Sequence, residues 1–326
     1  MAGKANAAAR RAFPAAAGAA AVAAAAVATL RAWSPAAPPA VETFALIFIS
    51  IALEALPFVL LGAVVAAGVQ VLVPDRFFER VGRWPVAAQL SLAACGGVAF
   101  PVCECGSVPV ARRLLERGLH PAAGLTFMLA APILNPVVLA STAIAFRGRG
   151  ALEMVLGRAV LGMILAIVAG WALGGTAPVG LLRPRSEEPS STGPRAQRMV
   201  DHVAADFFYM GRFVIIGSAV AALLQTLVPQ SLTSGVARTP LLGTLALMAL
   251  AFALSLCSEA DAFVAASFVQ FPVGAQLAFL VLGPAADVKL SILYGSTFRG
   301  AFVPRLLLVA VPVVLAGSLW FEAILR

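Results

Sequence analysis

Apolar stretches long enough to cross a bilayer recur along this chain, and that recurrence limits its fold more than any other feature. The runs are Thr43–Val73, Val86–Val110, Pro121–Phe146, Ala151–Gly174, Phe207–Val228, Leu241–Cys257 and Ala301–Leu319, with a less clean stretch at Phe263–Leu282. A helix rises about 1.5 Å per residue, so about 20 apolar residues span a hydrocarbon layer roughly 30 Å thick. With 61% hydrophobic and only 12% charged residues, the chain has too little polar surface to cover itself in water. The sequence predicts an all-α polytopic protein with about 8–10 transmembrane segments, some of them broken helices. Its abundant alanine and arginine suit a GC-rich bacterial genome, hence a multi-pass place in a bacterial inner membrane with the lipid bilayer as its surroundings.

The net charge of +8 does not point to nucleic acid. The arginines fall in short breaks between apolar runs: Arg76, Arg80 and Arg83; Arg112, Arg113 and Arg117; Arg147 and Arg149. Such residues read as loop charges flanking spans. Because successive loops all carry them, they do not set the orientation. The clearest cytoplasmic candidate is Arg183–Arg198, "RPRSEEPSSTGPRAQR", a charged Pro/Ser-rich linker expected to be mobile. Residues 1–42 read as an N-terminal arm or an extra helix: Lys4, Arg10 and Arg11 precede an alanine-rich run that resembles a signal peptide. No phosphate-binding loop occurs, so the chain carries no ATPase of its own, and no cofactor is implied.

The linker, 176–204, divides two stretches that resemble each other. Phe58–Pro74 reads "FVLLGAVVAAGVQVLVP" and Phe213–Pro229 reads "FVIIGSAVAALLQTLVP", an offset of 155. A Gly, a Gln and a Pro shared in register do not follow from hydrophobicity. Within three residues of that offset, Cys103 falls over Cys257, Asn135 over Asp287, and "FRG" at Phe146–Gly148 over "FRG" at Phe298–Gly300. This predicts two homologous repeats, 43–175 and 205–326, as in transporters whose substrate site lies between repeats near the bilayer midplane. Four apolar runs per half would make the repeats parallel; a re-entrant segment would change that count.

Candidate chemistry concentrates in "FPVCECGSVP", Phe100–Pro109. Residues two apart on a helix point about 200° away from each other, so Cys103 and Cys105 share a face only if the backbone leaves the helix. Pro101, Pro109 and the nearby glycines suit such a break, and irregular backbone at membrane depth must be buried in protein or line a watery cavity. Thiols favour soft metals, and trivalent arsenic shares that preference. Glu104 adds a carboxylate that is costly to bury without a partner or a task. In the second half, "LCSEADAF" offers Cys257, Glu259 and Asp261. The metal-ligating candidates are thus Cys103, Cys105 and Cys257; Cys95 reads as packing.

A second constellation is "LAAPILNPVVLAST", Leu129–Thr142, where Pro136 pushes Asn135 out of helical geometry. Its counterpart "LGPAADVKLS" carries Asp287 and Lys289. Intramembrane charges of this kind are substrate-site candidates, the alternative for Lys289 being a helix-end side chain that snorkels. The substrate-binding candidates are Asn135, Asp287, Lys289, Glu104, Glu259 and Asp261. Glu54 is a weaker one, His120 and His202 read as structural, and Arg112, Arg113, Glu116 and Arg117 read as a solvated helix face.

Through Phe100–Phe146, with its C-x-C, Gly118 and P-x-x-N-P, and more weakly through Cys257–Gly300, the chain resembles the bacterial ArsP-like predicted permeases. The resemblance implies a permease rather than an enzyme. Members of that family include efflux permeases for trivalent organoarsenicals. Others are associated with copper or zinc handling, and some are thought to act with a separate accessory protein. The second half keeps only Cys257, which departs from a symmetrical metal scheme. The leading reading is secondary efflux of a thiophilic metal, metalloid or organoarsenical, coupled to protons through Glu104, Glu259, Asp261 or Asp287. The rival reading is a membrane thiol oxidoreductase that uses Cys103, Cys105 and Cys257 for electron transfer.

Overall fold

A computed structural model describes residues 39–100, 102–175, 178–184, 194–227 and 240–325. Residues 1–38, Pro101 and most of the linker, Ser190 included, lie outside the described residues. The described chain is helical, in keeping with an environment where each backbone N–H must find its partner within the protein. Before the linker come α1 (Pro39–Leu72), α2 (Asp75–Gly82), α3 (Val86–Ala99), α4 (Glu104–Glu116), α5 (Pro121–Leu134), α6 (Pro136–Ala145), α7 (Ala151–Leu173) and the short α8 (Pro178–Leu181). After it come α9 (Arg195–Leu227), α10 (Pro240–Leu254), α11 (Asp261–Ser267), α12 (Val273–Ala285), α13 (Val288–Thr297) and α14 (Phe302–Leu325).

Among the described residues, six helical segments are long and apolar enough to span a bilayer: α1, α5 with α6, α7, α9, α12 with α13, and α14. The remaining apolar runs form helices too short to cross, and the chain folds back instead. Gln89 Oε1 accepts from the His120 N–H at 3.2 Å and Gly97 lies against Ala130, so α3 runs parallel to α5. Ser107 Oγ donates to Met128 O at 3.0 Å and Leu115 packs on Gly124, so α4 runs antiparallel to α5. Together α3 and α4 form a re-entrant hairpin that enters and leaves on one side. In the second half, Ala251 near the inner end of α10 meets Gly283 near the inner end of α12. From there α11 turns back outward until Arg149, in the loop before α7, donates to Ala266 O.

Among the described residues each half crosses three times, which reverses the direction of the second half. Gly68 of α1 lies by Met199 at the start of α9, while Glu54 and Gln225 share a cavity, so α1 and α9 are antiparallel. Gly170 packs on Ala122 and Gly162 on Ile133, which sets α7 against α5. Gly157 meets Phe321 and Gly317 meets Leu161, which sets α14 against α7. The spacing of apolar runs alone pointed to four crossings and parallel halves. The hairpins remove one crossing from each half and reverse that outcome.

The small residues explain how helices come this close. A Cβ on Gly62 would stand 2.4 Å from Gly106 Cα, so α1 and α4 meet backbone to backbone. The arginine-rich end of α4 is not the solvated face that its sequence suggests. Folding back places it under α1 and α9, where Arg112 and Arg113 are buried. Arg113 pairs with Asp206 at 3.0 Å, and Arg112 donates to Glu116 at 2.7 Å and to Arg183 O at 3.0 Å.

Candidate functional site

The turn between α3 and α4 puts the cysteine segment where the two halves meet. Helix α3 ends at Phe100, whose backbone is extended, and Cys103 becomes the N-cap of α4 with φ −75° and ψ 178°. The break therefore falls before Cys103 rather than through it, and Pro109 sits inside α4. Glu104 and Cys105 occupy the first turn, so both face the end of the helix, where the unpaired N–H groups favour an acidic side chain. The opposite tip, Ser255–Ala260, approaches from the second half. Ser255 adopts φ +48°, a costly left-handed conformation for a residue with a side chain.

Hydrogen bonds join the tips. Ser258 Oγ donates to Glu104 Oε2 at 3.0 Å, and Lys289 Nζ donates to Glu104 Oε1 at 3.2 Å. Each oxygen of Glu104 thus has a donor from the other half, which is what a carboxylate 1% exposed requires. Cys257 Sγ donates to Glu259 Oε2 at 2.7 Å, and Cys103, Cys105 and Cys257 line the same cavity. A cavity of about 320 Å³ opens on this cluster, lined by Cys103, Glu104, Cys105, Cys257 and Lys289, with Glu54 exposed along its α1 wall. Among the described residues, no three His, Cys, Asp or Glu side chains are arranged to hold a metal ion. The cluster is a set of thiols and charges around an open space, not a closed metal centre.

Asn135 and Asp287 are absent from the lining and have another part. Each interrupts a span: Asn135 is the N-cap of α6 and Asp287 the N-cap of α13. Asp287 is fully buried; its Oδ1 accepts from Leu290 N at 2.6 Å, while Oδ2 has no partner among the described residues. Glu259 reaches the cluster only through Cys257 and Ser258. Asp261 is held away from it by Arg158, which donates Nη1 to Oδ1 at 2.9 Å and Nη2 to Oδ2 at 2.8 Å. Cys95 is exposed on α3. His120 caps α5, its Nδ1 accepting from Ala122 N at 3.2 Å.

Sequence reasoning missed Arg158, Arg113 and Ser258. Arg158 was visible as a charge inside an apolar run, the usual sign of an intramembrane partner. The other two carry no such signal, since a serine or a loop-side arginine is ordinary anywhere.

Broken spans, re-entrant tips and a polar cavity at mid-depth define a multi-pass membrane permease. The chain belongs to the ArsP_1 family, described as a predicted permease, whose model matches residues 40–322. It is similar to UPF0718 protein YcgR of Bacillus subtilis, 39% identical over 282 residues that cover 84% of this chain and 95% of that protein. It is also similar to a Streptococcus mutans protein named "Putative two-component membrane permease complex subunit", 34% identical over 273 residues that cover 82% and 90% of the two chains. No solved structure matches the chain. With six apolar spans and bacterial relatives, this is a multi-pass bacterial membrane protein.

Proposed function

We propose that the protein is a secondary permease that exports a thiophilic cargo: a soft metal ion, a metalloid or a trivalent organoarsenical. One observation carries this reading: Cys103, Cys105 and Cys257, brought from both halves, line one cavity with Glu104. Thiols select soft cargo over the far commoner hard cations. A site with few converging ligands suits cargo that must be released as readily as it is taken up. The halves are homologous repeats of opposite direction, and rocking of one against the other would expose the tips to each side of the membrane in turn. Glu104, Glu259 and Asp287 are the carboxylates placed to exchange protons during that cycle, while Asp261 serves as the anchor of Arg158. The relative named as a complex subunit supports an accessory protein acting with this chain.

The test is a growth and accumulation screen of a strain lacking the protein against arsenite, methylarsenite, copper, zinc and cadmium. Sensitivity and raised cell content for at least one thiophilic agent, reversed by the cloned gene, support the reading. Wild-type tolerance and content for all five contradict it.

A further inference from the structure

Among the described residues, three buried cation–carboxylate pairs join the two halves, and they are not built alike. Arg158 grips Asp261 with both arms of its guanidinium, at 2.9 and 2.8 Å. Arg113 grips Asp206 through Nε at 3.3 Å and Nη2 at 3.0 Å. The third pair, beside the cysteines, is Lys289 with Glu104, a single contact at 3.2 Å. Of the 23 lysines and arginines only Lys4 and Lys289 are lysines, so the chain uses lysine inside the membrane at one place, against its own composition.

Arginine and lysine differ in how they let go. A planar guanidinium locked bidentately onto a carboxylate is fixed in direction, whereas an ammonium is a compact point charge on a flexible stem. The stem of Lys289 has a route to move: it lines the cavity, and its own helix is set tight against α9 at Gly217, where a Cβ would stand 3.0 Å from Lys289 Cα.

We infer that Lys289 is a tethered cation that occupies the cargo's place at Glu104 when the site is empty and is displaced by cationic cargo. This rests on the thiophilic-permease reading and adds a selection rule to it. A soft metal cation bound at Cys103 and Cys105 releases their two thiol protons to solvent and takes the neighbouring Glu104 carboxylate as a further ligand, so the ammonium must leave that oxygen. An uncharged trivalent arsenical exchanges each As–OH for an As–S bond, releasing water, and makes no demand on the carboxylate. Lys289 therefore weakens binding of cations, hastens their release, and leaves neutral arsenicals alone. A merely structural counter-ion would not distinguish the two cargoes.

The experiment measures dissociation constants of the purified full-length protein for Cd²⁺ and for a monomethyl trivalent arsenical, in wild type, Lys289→Met and Lys289→Arg. Lys289→Met is expected to bind Cd²⁺ at least tenfold tighter, and Lys289→Arg, whose fork grips Glu104, at least tenfold weaker, with arsenical affinity within twofold in both. Labelling of the wild-type Lys289 amine by isotopic reductive methylation, with Lys4 as internal control, is expected to rise several-fold with Cd²⁺ and not with the arsenical. This second readout decides the matter if Lys289→Met does not fold. Unchanged Cd²⁺ affinity in the folded variants, equal shifts for both probes, or labelling indifferent to Cd²⁺ overturns the inference alone. A wild type that binds neither probe overturns the thiophilic reading and the inference with it.

Discussion

Asn135 and Asp287 do the same work in the two halves. Each stands at the break in a span and caps the helix that follows, Asn135 Oδ1 accepting from Val137 N at 2.9 Å and Asp287 Oδ1 from Leu290 N at 2.6 Å. The amide and the carboxylate differ only in the second position, and Asp287 Oδ2 is buried without a partner among the described residues. An unpaired buried oxygen costs about 1–3 kcal/mol, a cost a cap alone does not require.

Asp287→Asn keeps the capping oxygen and is therefore expected to fold at the wild-type level while losing transport. Asp287→Ala removes the cap as well and should lower stability by about 0.5–2 kcal/mol. Size-exclusion profiles and melting curves in detergent, read beside transport in vesicles, separate the two effects. Full transport by Asp287→Asn contradicts the prediction.

The packing of the first hairpin tip on α1 gives a sharper steric prediction. A Cβ at Gly62 meets backbone at 2.4 Å and no side chain can yield, so Gly62→Ala should cost about 1–3 kcal/mol or prevent folding. Gly211 on α9 has nothing within 4 Å of an added Cβ, and Gly211→Ala should be neutral or mildly stabilising. Melting temperatures of the two variants in the same detergent provide the check. Equal behaviour would count against the close approach of α1 and α4.

Arg158 and Asp261 should behave as a buried pair whose halves cannot stand alone. Removing either partner leaves an uncompensated charge, at a cost of about 3–5 kcal/mol. Replacing both, as Arg158→Met with Asp261→Leu, should recover most of that loss. A double-mutant cycle of melting curves tests it, and strictly additive losses would contradict the pairing.

Much of the fold was legible in the sequence because spans are written in hydrophobicity. The lengths of α1 and α7 follow directly from their apolar runs, whereas α9 begins at Arg195, inside the hydrophilic linker and well ahead of its run, and α14 continues past its run to Leu325. The hairpins were not legible, because Val86–Val110 has the composition of a span and only the contacts of Gln89, Gly97 and Ser107 show that it turns back. That one misreading also explains most of the arginines in successive loops, while Arg147 and Arg149, in the loop before α7, lie at the opposite end. The hairpin brings Arg76, Arg80 and Arg83 to the same end of the molecule as Arg117, which donates to Gln70 O and Val73 O. Arg183 and Arg299 join that end through Thr297 O and Leu181 O. Within the site, the sequence pointed to the cysteines, Glu104 and Lys289 because buried charge and sulfur are rare. It did not separate the cavity-lining residues from the caps, since Asn135, Asp287 and Asp261 carry the same polar signal and differ only in where the backbone aims them.

The gathering of arginines at one end predicts orientation, as basic loops are kept on the cytoplasmic side. A cysteine introduced at Ser190, in the linker between Arg183 and Arg195, should resist an impermeant thiol reagent in intact cells and react once cells are opened. Labelling in intact cells would reverse the assignment.

The central claim, that the thiols from both halves hold the cargo, is tested most directly by uptake into everted membrane vesicles. Vesicles bearing the wild-type protein, any accessory subunit included, are supplied in turn with a monomethyl trivalent arsenical, monovalent copper, zinc or cadmium. The account predicts accumulation of at least one of these above protein-free vesicles. It further predicts that the combined Cys103→Ser and Cys105→Ser variant, at equal expression, falls to about a tenth of that rate or less. Wild-type uptake by the double serine variant would contradict it.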